Sequence, residues 1–375
     1  MKTLFISNDP AIFDPDSAVR ARMRDYAARL GELHVVSPAA SDVTESADGP
    51  LHLYPIHTFR FLRTRALAKR ARAIVLEHGI ELVSAQDPFE EGMAALEAVR
   101  GTSAKLHVQV HTDFLSPWFT KNGNWRSAQV RMPALNRVRR RYADAVLPQA
   151  HGIRVVSERV KASLIARYAP RIVEPVVIPI QVPSAVPPPV PLPAHPFTFA
   201  LMCIGRLEPE KRIEDILEAL ALVVPKYPAV GLFILGAGRE RRALEKLVRS
   251  KALDTHVIFL GERRDAWGLL QSAQAFIQAS AYEGYGRTLI EAALAKVPII
   301  TTDVGIVGEV FKGYEDVLAV PVADPTALSL SIVGVVEDQG TRVNLPIAAE
   351  IAARDHLRAQ GNIPERVVAD LERVA

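Results

Sequence analysis

Two carboxylates eight positions apart, Glu283 and Glu291, lie in AFIQASAYEGYGRTLIEAALAKVPIITTD, residues 275–303. The segment reads as a buried strand, a polar glycine-containing turn, a helix and a second strand. With the helix starting near Arg287 or Thr288, Glu291 falls in about its first turn and Glu283 in the loop before it, so both can face one crevice. Gly284 and Gly286 let a ligand approach the backbone closely. A carboxylate accepts from a ribose diol or a sugar hydroxyl, whereas a helix start and Arg287 favour phosphate. That mixture suits a sugar nucleotide. In isolation, the same two acids could simply complement the helix dipole, with the glycines as turn residues.

A second junction, CIGRLEPEKRIEDILEAL, follows the same plan: a strand, a turn carrying Arg206 and Lys211, then an amphipathic helix. Arg supplies a bidentate fork and Lys a point charge, which together suit a pyrophosphate that must depart with extra negative charge. Taken alone, the two cations could instead pair on the surface with Glu208, Glu210 or Glu214.

These junctions need parallel sheets to position them, because ligands of open α/β sheets sit outside the carboxyl ends of the strands, where helix N-termini present free N–H groups. Short apolar runs do recur between helix-like segments: KTLFISN, LHVVSP, ELVSAQ, LHVQVH, GIRVVS and VVIPI before residue 182, and FTFALMCIG, VGLFILG, HVIFLG, AQAFIQAS, VPIITTD and DVLAVPV after residue 196. Continuous Val/Ile/Leu runs of this length predict strands buried on both faces, joined by helical crossovers. A chain of 375 residues, 49% hydrophobic and 23% charged, has room for two such cores and is unlike a disordered chain. The expectation is an α/β protein of two Rossmann-like, doubly wound domains, 1–182 and 197–354, with the proline-dense PSAVPPPVPLPAHP at 183–196 as an extended connector. The tail reads as helices, and a helix over about 355–375 is expected to pack back on the first domain.

Together the two junctions resemble glycosyltransferase family 4, the large family of retaining GT-B enzymes. Its GR-x4-K element and Glu-x7-Glu motif stand here as GRLEPEK and EGYGRTLIE, in order around FILGAG and VIFLGE. The resemblance covers most of the chain and is densest from Phe199 to Asp324. It implies two facing domains with an interdomain cleft, and a retaining transfer of a hexosyl group from a nucleoside-diphosphate sugar to a saccharide or lipid-linked hydroxyl. It implies that Arg206 and Lys211 bind the diphosphate, Glu291 the ribose and Glu283 the transferred sugar. Backbone N–H groups around Gly284, Tyr285 and Gly286 are expected to help, and Arg287 and Thr288 complete the donor site. His111, at the end of the strand LHVQV, corresponds to a histidine common in the family near the sugar and acceptor, with Asp113 beside it. No metal or other cofactor is expected.

The family's glycine-rich first loop is replaced by NDPAIFDPDSAVRARM, where Asp9, Asp14, Arg20 and Arg24 are candidates to touch the acceptor, while Asp16 and Ser17 read as caps of the next helix. Lys296-Val297-Pro298 replaces the usual glycine at the exit of the motif helix. The DxD string of Asp14 and Asp16 has no supporting context as a metal site. Gly236 and Gly238 in FILGAG read as packing and turn residues, and the base is expected near Arg263 and Arg264.

Residues 1–182 hold 25 Lys+Arg against 18 Asp+Glu, a net +7, and the remaining residues 20 against 24, a net −4. The basic runs FRFLRTRALAKRAR and NRVRRRYADAV suit solvated helix faces or an anionic membrane surface. The aromatic interleaving of nucleic-acid modules is missing, so nucleic acid is not an expected partner. The one cysteine, Cys203, sits in an apolar run and reads as core. With no spanning apolar run and no leader at Met1, the expected location is the cytoplasm, with peripheral attachment to the inner membrane face as an extension. Two-domain rivals are a UDP-sugar 2-epimerase, a sugar phosphorylase and a non-catalytic nucleotide-sugar-binding scaffold.

Overall fold

The computed structural model describes residues 1–120 and 132–375. The chain divides into two compact units, one of residues 1–115, 132–181 and 362–375, the other of 116–131 and 182–361. The basic run at 136–146 falls in the described helix Met132–Val146, while residues 121–131 lie outside the described residues.

The first unit is built on eight strands: β1 (Lys2–Ile6), β2 (Glu32–Pro38), β3 (Ser46–Asp48), β4 (Leu51–Ile56), β5 (Leu82–Ala85), β6 (Lys105–Val110), β7 (Gly152–Val155) and β8 (Val176–Val177). Their order is β3-β4-β2-β1-β5-β6-β7-β8, parallel except for the short hairpin of β3 with β4. The apolar runs supply every parallel strand but β4. LHLYPI escapes the pattern because His52 and Pro55 interrupt it. Pro55 is tolerated because β3 pairs only as far as Leu53, so Pro55 has an unpaired edge on that side.

The second unit carries β9 (Phe199–Ile204), β10 (Val230–Leu235), β11 (Val257–Gly261), β12 (Ala275–Gln278), β13 (Ile299–Thr302) and β14 (Leu318–Val320), all parallel, in the order β11-β10-β9-β12-β13-β14. Numbered within the unit this is 3-2-1-4-5-6, the doubly wound order whose direction of progress reverses between the first and fourth strands. The first unit repeats it, with the reversal between β1 and β5. Each sheet therefore has one place where neighbouring crossovers leave for opposite faces.

Two expectations about the connections are refined. The proline-rich segment packs on the second unit: Val190 N–H donates to Gly268 O at 3.0 Å, Gln271 Nε2 to Pro187 O at 2.7 Å and Ser272 Oγ to Val190 O at 2.8 Å. The return to the first unit comes at residue 362, after the 22-residue helix Gln339–Gln360. The last helix, Ile363–Val374, buries Ile363, Val367, Val368, Leu371 and Val374 among Phe5, Tyr26, Leu33 and Leu82. Its Asp370 Oδ2 meets the buried His107 Nε2 on β6 at 3.1 Å.

Buried histidines make the first unit sensitive to acid. His34 is enclosed, with Nδ1 2.9 Å from Tyr54 Oη and Nε2 2.8 Å from Glu32 Oε1. Burial chiefly lowers its pKa, opposed by the Glu32 hydrogen bond, and burial lowers His107 against the pull of Asp370. Both take up a proton more readily when unfolded, where the ordinary value is 6.5, so stability falls as pH drops through that value. Urea midpoints measured from pH 7.5 down to 5 should decrease, and His34→Gln should make the decrease shallower.

Candidate functional site

In the second unit the two sequence junctions emerge at the carboxyl ends of β9 and β12, the strands that flank the reversal. Beyond β9 the chain turns through a short 3-10 helix, Pro209–Lys211, and Arg212 takes a left-handed conformation (φ 47°) before the helix Ile213–Val223. Arg212 is fixed by Asp215, at 2.6 and 2.8 Å, which frees the preceding turn to present Arg206 and Lys211. Beyond β12, Gly286 (φ 93°) breaks the extended run and starts the helix Arg287–Leu294. The first N–H groups of that helix have no intrahelical acceptor.

Side chains from the two junctions meet. Lys211 Nζ donates to Glu283 Oε1 in a short ion pair, and Ser280 Oγ donates to the same oxygen at 2.8 Å. Arg206 is largely exposed and reaches Glu210 Oε1 at 2.9 Å, while Glu210 Oε2 is buried without a hydrogen-bond partner. Surface pairing was the bland expectation for both cations. It describes Arg206, but Lys211 pairs across to the other motif. Arg287 Nε binds Glu291 Oε1 at 2.7 Å, and burial raises the pKa of Glu291 against the opposing effect of Arg287. Thr288 Oγ1 donates to the buried Gln278 Oε1 at 2.9 Å.

The remaining expected donor residues divide by atom. Gly284 is buried beside Glu283. Tyr285 is buried and turns its phenol away from the junction, 3.0 Å from His356 Nε2 and accepting from Gln360 Nε2 at 2.9 Å, with burial pushing its pKa up to about 12. Its backbone carbonyl accepts from Ile306 N–H at 3.0 Å, so only its main chain can serve the loop. Arg263 is exposed and paired with Asp265 at 2.6 and 2.8 Å, and Arg264 is exposed. Cys203 is buried, its thiol pushed up to about 12 by burial, which keeps it protonated.

Three glycines hold these loops together by close backbone approach. A Cβ on Gly236 would lie 1.9 Å from Gly205 O, one on Gly238 2.3 Å from Leu207 O, and one on Gly305 2.3 Å from Tyr285 O. Leu207 N–H donates to Ala237 O at 2.8 Å, tying the turn after β10 to the Arg206 turn. In FILGAG the glycines thus serve loop packing.

The first unit has its own crevice at the reversal between β1 and β5. A cavity of about 290 Å³ is lined by Ser7, Asn8, Asp9, Arg22, Gln86, Asp87, Glu91 and His111 over a floor that includes Phe5, Met23 and Val35. His111 lies at the end of β6, and burial, reinforced by Arg154 and Arg22, pushes its pKa down to about 3, so its imidazole is neutral. Asp113 is buried in the same loop. Asp9 reaches the cavity while capping the turn Pro10–Phe13 through Ala11 N–H at 3.0 Å. Arg20 and Arg24 both bind Asp48 Oδ2, at 3.2 and 2.5 Å, and fasten the first helix to β3; neither is among the residues lining the cavity. The cation of that helix on the cavity is Arg22. Ser17 caps the helix through Arg20 N–H at 3.0 Å, and Asp14 accepts from Asp16 N–H at 3.1 Å in the turn before it.

The sequence reading passed over Gln86, Asp87 and Glu91 in QDPFEEG, although they stand at a strand-to-helix junction like the two it chose. Asp87 is packed against Glu91, and burial first, then the Glu91 charge, raises its pKa well above the carboxylate range. Among the described residues two groups have ligand atoms close enough for a cation, Asp87 with Glu90 and Glu91, and Glu32 with His34 and His52. In the first, Glu90 is held by Arg139 at 3.0 Å, and in the second both His34 nitrogens are engaged. The basic runs are partly spent internally: Arg63 binds Asn8 at 2.9 Å, Arg70 binds Glu45 at 2.5 Å and Arg72 the Arg100 carbonyl at 2.6 Å. No helix among the described residues is long and apolar enough to cross a membrane.

Residues 198–351 match the family model described as glycosyl transferases group 1, and residues 19–182 the one described as glycosyltransferase family 4. N-acetyl-alpha-D-glucosaminyl L-malate synthase of Bacillus anthracis is 26% identical over 174 residues, 46% of this chain and 44% of that protein. The chain spans less than half the length of the curated relatives it matches. Sucrose-phosphate synthase from Thermosynechococcus elongatus superposes with a TM-score of 0.78 at 20% identity, over 100% of this chain and 98% of that one. Anabaena HepE, solved with UDP and glucose, gives 0.71 at 18% identity over 100% of both chains. At these identities the structural likenesses establish the fold: two parallel-sheet α/β domains of the GT-B kind.

The glycine contacts give a test of how the loops are held. Gly236→Ala puts a side chain at φ 135° against the Gly205 carbonyl and should cost roughly 2 kcal/mol or more. Gly334→Ala, in the helix Pro325–Glu337 with open space around it, should be neutral or stabilising by up to about 1 kcal/mol. Denaturant melts of the two variants beside the parent check both.

Proposed function

The chain belongs to glycosyltransferase family 4, and we propose that it is a retaining, metal-independent enzyme moving a hexosyl group from a nucleoside-diphosphate sugar to a hydroxyl acceptor. The observation that carries this reading is the meeting of the two motifs at one sheet reversal, with Lys211 on Glu283 and Arg206, Arg287 and Glu291 on the same edge.

In this reading Arg206 and Lys211 take the diphosphate, and their charge counts most as the glycosidic bond breaks and electrons move onto the leaving phosphate. Glu283 accepts from hydroxyls of the transferred sugar, and Glu291 from the ribose. Binding a diphosphate requires Arg206 and Lys211 to exchange their present carboxylate partners for phosphate oxygens, and Arg gains a bidentate partner by the exchange. His111 is a neutral and weakly basic imidazole, which fits holding a substrate hydroxyl by hydrogen bonding better than storing its proton. In keeping with the family resemblance, the acceptor attacks on the face the phosphate leaves, with the departing oxygen receiving the acceptor proton. The UDP and glucose bound by HepE, which shares the fold, support a uridine nucleotide among the donors to be tried.

Thermal melts with UDP, GDP, ADP and their sugars, all in EDTA, test the donor assignment. A ligand at 100 times its Kd should stabilise the protein by about 2.7 kcal/mol. One base should give the shift, and Arg206→Ala and Glu291→Ala should each abolish it. If the folded protein responds to no nucleoside diphosphate, the donor assignment fails; if it responds only when a divalent metal is added, metal independence fails.

A lipid-linked acceptor at an anionic membrane surface is the second reading, favoured by the stacked Phe59 and Phe61, 74% and 82% exposed, beside exposed Leu62, Arg65 and Lys69. Apolar side chains flanked by cations suit a bilayer interface, each cation adding about 1 kcal/mol. Sedimentation with phosphatidylglycerol vesicles should carry the protein down and leave the Phe59→Ser/Phe61→Ser variant in solution. Equal partition of the two proteins would exclude this surface.

A further inference from the structure

The cavity of the first unit contains two buried polar atoms of opposite kind that the protein does not satisfy. Gln86 Nε2, a donor, and Glu91 Oε2, an acceptor, both lack a hydrogen-bond partner, and both residues line the cavity. Glu91 is 2% exposed. A buried polar group without a partner is costly enough that native proteins keep few of them, and those kept call for an explanation. A hydroxyl group both donates and accepts, so one hydroxyl, or two on neighbouring carbons, can satisfy this pair. A phosphate or carboxylate can accept from Gln86 but offers nothing to Glu91 and is repelled by it. Asp87, packed against Glu91, adds a second carboxyl group to the same wall, and Asp9 a third to the lining. Among the described residues the one full cation on the lining, Arg22, belongs to an exposed position of its helix. At about 290 Å³ the space is at the small end of ligand pockets, the scale of a single sugar ring.

We infer that this cavity is the acceptor subsite and that it selects an uncharged or amino-bearing polyhydroxyl ring over a phosphorylated or carboxylated one, with Gln86, Asp87 and Glu91 reading its hydroxyls. The inference rests on the reading of the chain as a glycosyltransferase and names the acceptor class for it. His111, on the same lining, adds one neutral hydrogen-bonding group to the set. Apolar Phe5, Val35 and Met23 supply a surface for the C–H face of a ring, leaving its hydroxyls to the polar wall.

Saturation-transfer NMR on the full chain without nucleotide, using methyl glucoside, glucosamine, glucose 6-phosphate and glucuronate, tests the selection. The neutral and amino sugars should give signals and the two anions should not. Gln86→Ala and Glu91→Ala should each weaken methyl glucoside binding tenfold or more while melting no lower than the parent, because each removes a buried atom that the fold leaves unpaired. Stronger binding of either anionic sugar, absence of binding by methyl glucoside and glucosamine, or unchanged binding in both variants overturns the inference. If one variant fails to fold, the other decides. Because no nucleotide is present, failure here leaves the donor assignment intact, and a failed nucleotide melt leaves this measurement readable.

Discussion

A parallel sheet whose strand order reverses beside its first strand has to leave a crevice there, because the crossovers on either side depart to opposite faces and cannot cover the carboxyl ends between them. Everything chemical in this protein follows from that constraint. It acts twice, between β1 and β5 and between β9 and β12, and the candidate groups of each unit stand beyond those strand ends. The apolar runs matter to function through it: they fix which strand follows which, and so which loops become neighbours. Glu283 and Lys211 are 72 positions apart in sequence and meet because β9 and β12 are adjacent.

The two crevices deal with buried charge differently. In the second unit each cation of the motifs has a carboxylate: Arg206 has Glu210, Lys211 has Glu283 and Arg287 has Glu291. Paired charges can sit at a partly buried edge without the penalty of an isolated ion. The loops bearing them are clamped by backbone contacts at Gly236, Gly238 and Gly305 that no side chain would permit. In the first unit Asp87 is packed against Glu91, and burial first, then the Glu91 charge, raises its pKa well above the carboxylate range. A wall of carboxyl groups differs in kind from the cation–carboxylate pairs of the second crevice.

How much of this was legible in the sequence depended on whether a feature was local. The six strands of the second unit were readable because each is a continuous apolar run bounded by turns, and the motif residues because a strand, a glycine turn and a helix follow one another directly. β4 was not, since His52 and Pro55 break its pattern and only its position beside β2 makes it a strand. The proline-rich segment looked like a free connector because composition reports stiffness and missing donors; its hydrogen bonds to Gly268, Gln271 and Ser272 are made with residues about 80 positions away. The first loop needed the fold for a related reason. Arg20, Arg22 and Arg24 alternate on one helix, and only the position of Asp48 on β3 determines that Arg20 and Arg24 are held there while Arg22 lines the cavity.

The Tyr285 side chain shows where motif reasoning stops. The motif assigns Tyr285 a role through its backbone, and its phenol is buried against His356 and Gln360 of the helix Gln339–Gln360. A phenol so placed anchors the turn from behind: its hydrogen bonds fix the peptide between Gly284 and Gly286, which have no side chains of their own to do so. The flanking glycines leave the loop backbone uncovered and conformationally free, and the tyrosine restores the rigidity they remove. Positioning in the second unit's crevice therefore depends on His356 and Gln360, 71 and 75 residues farther along the chain, a dependence that spacing within the motif could not reveal.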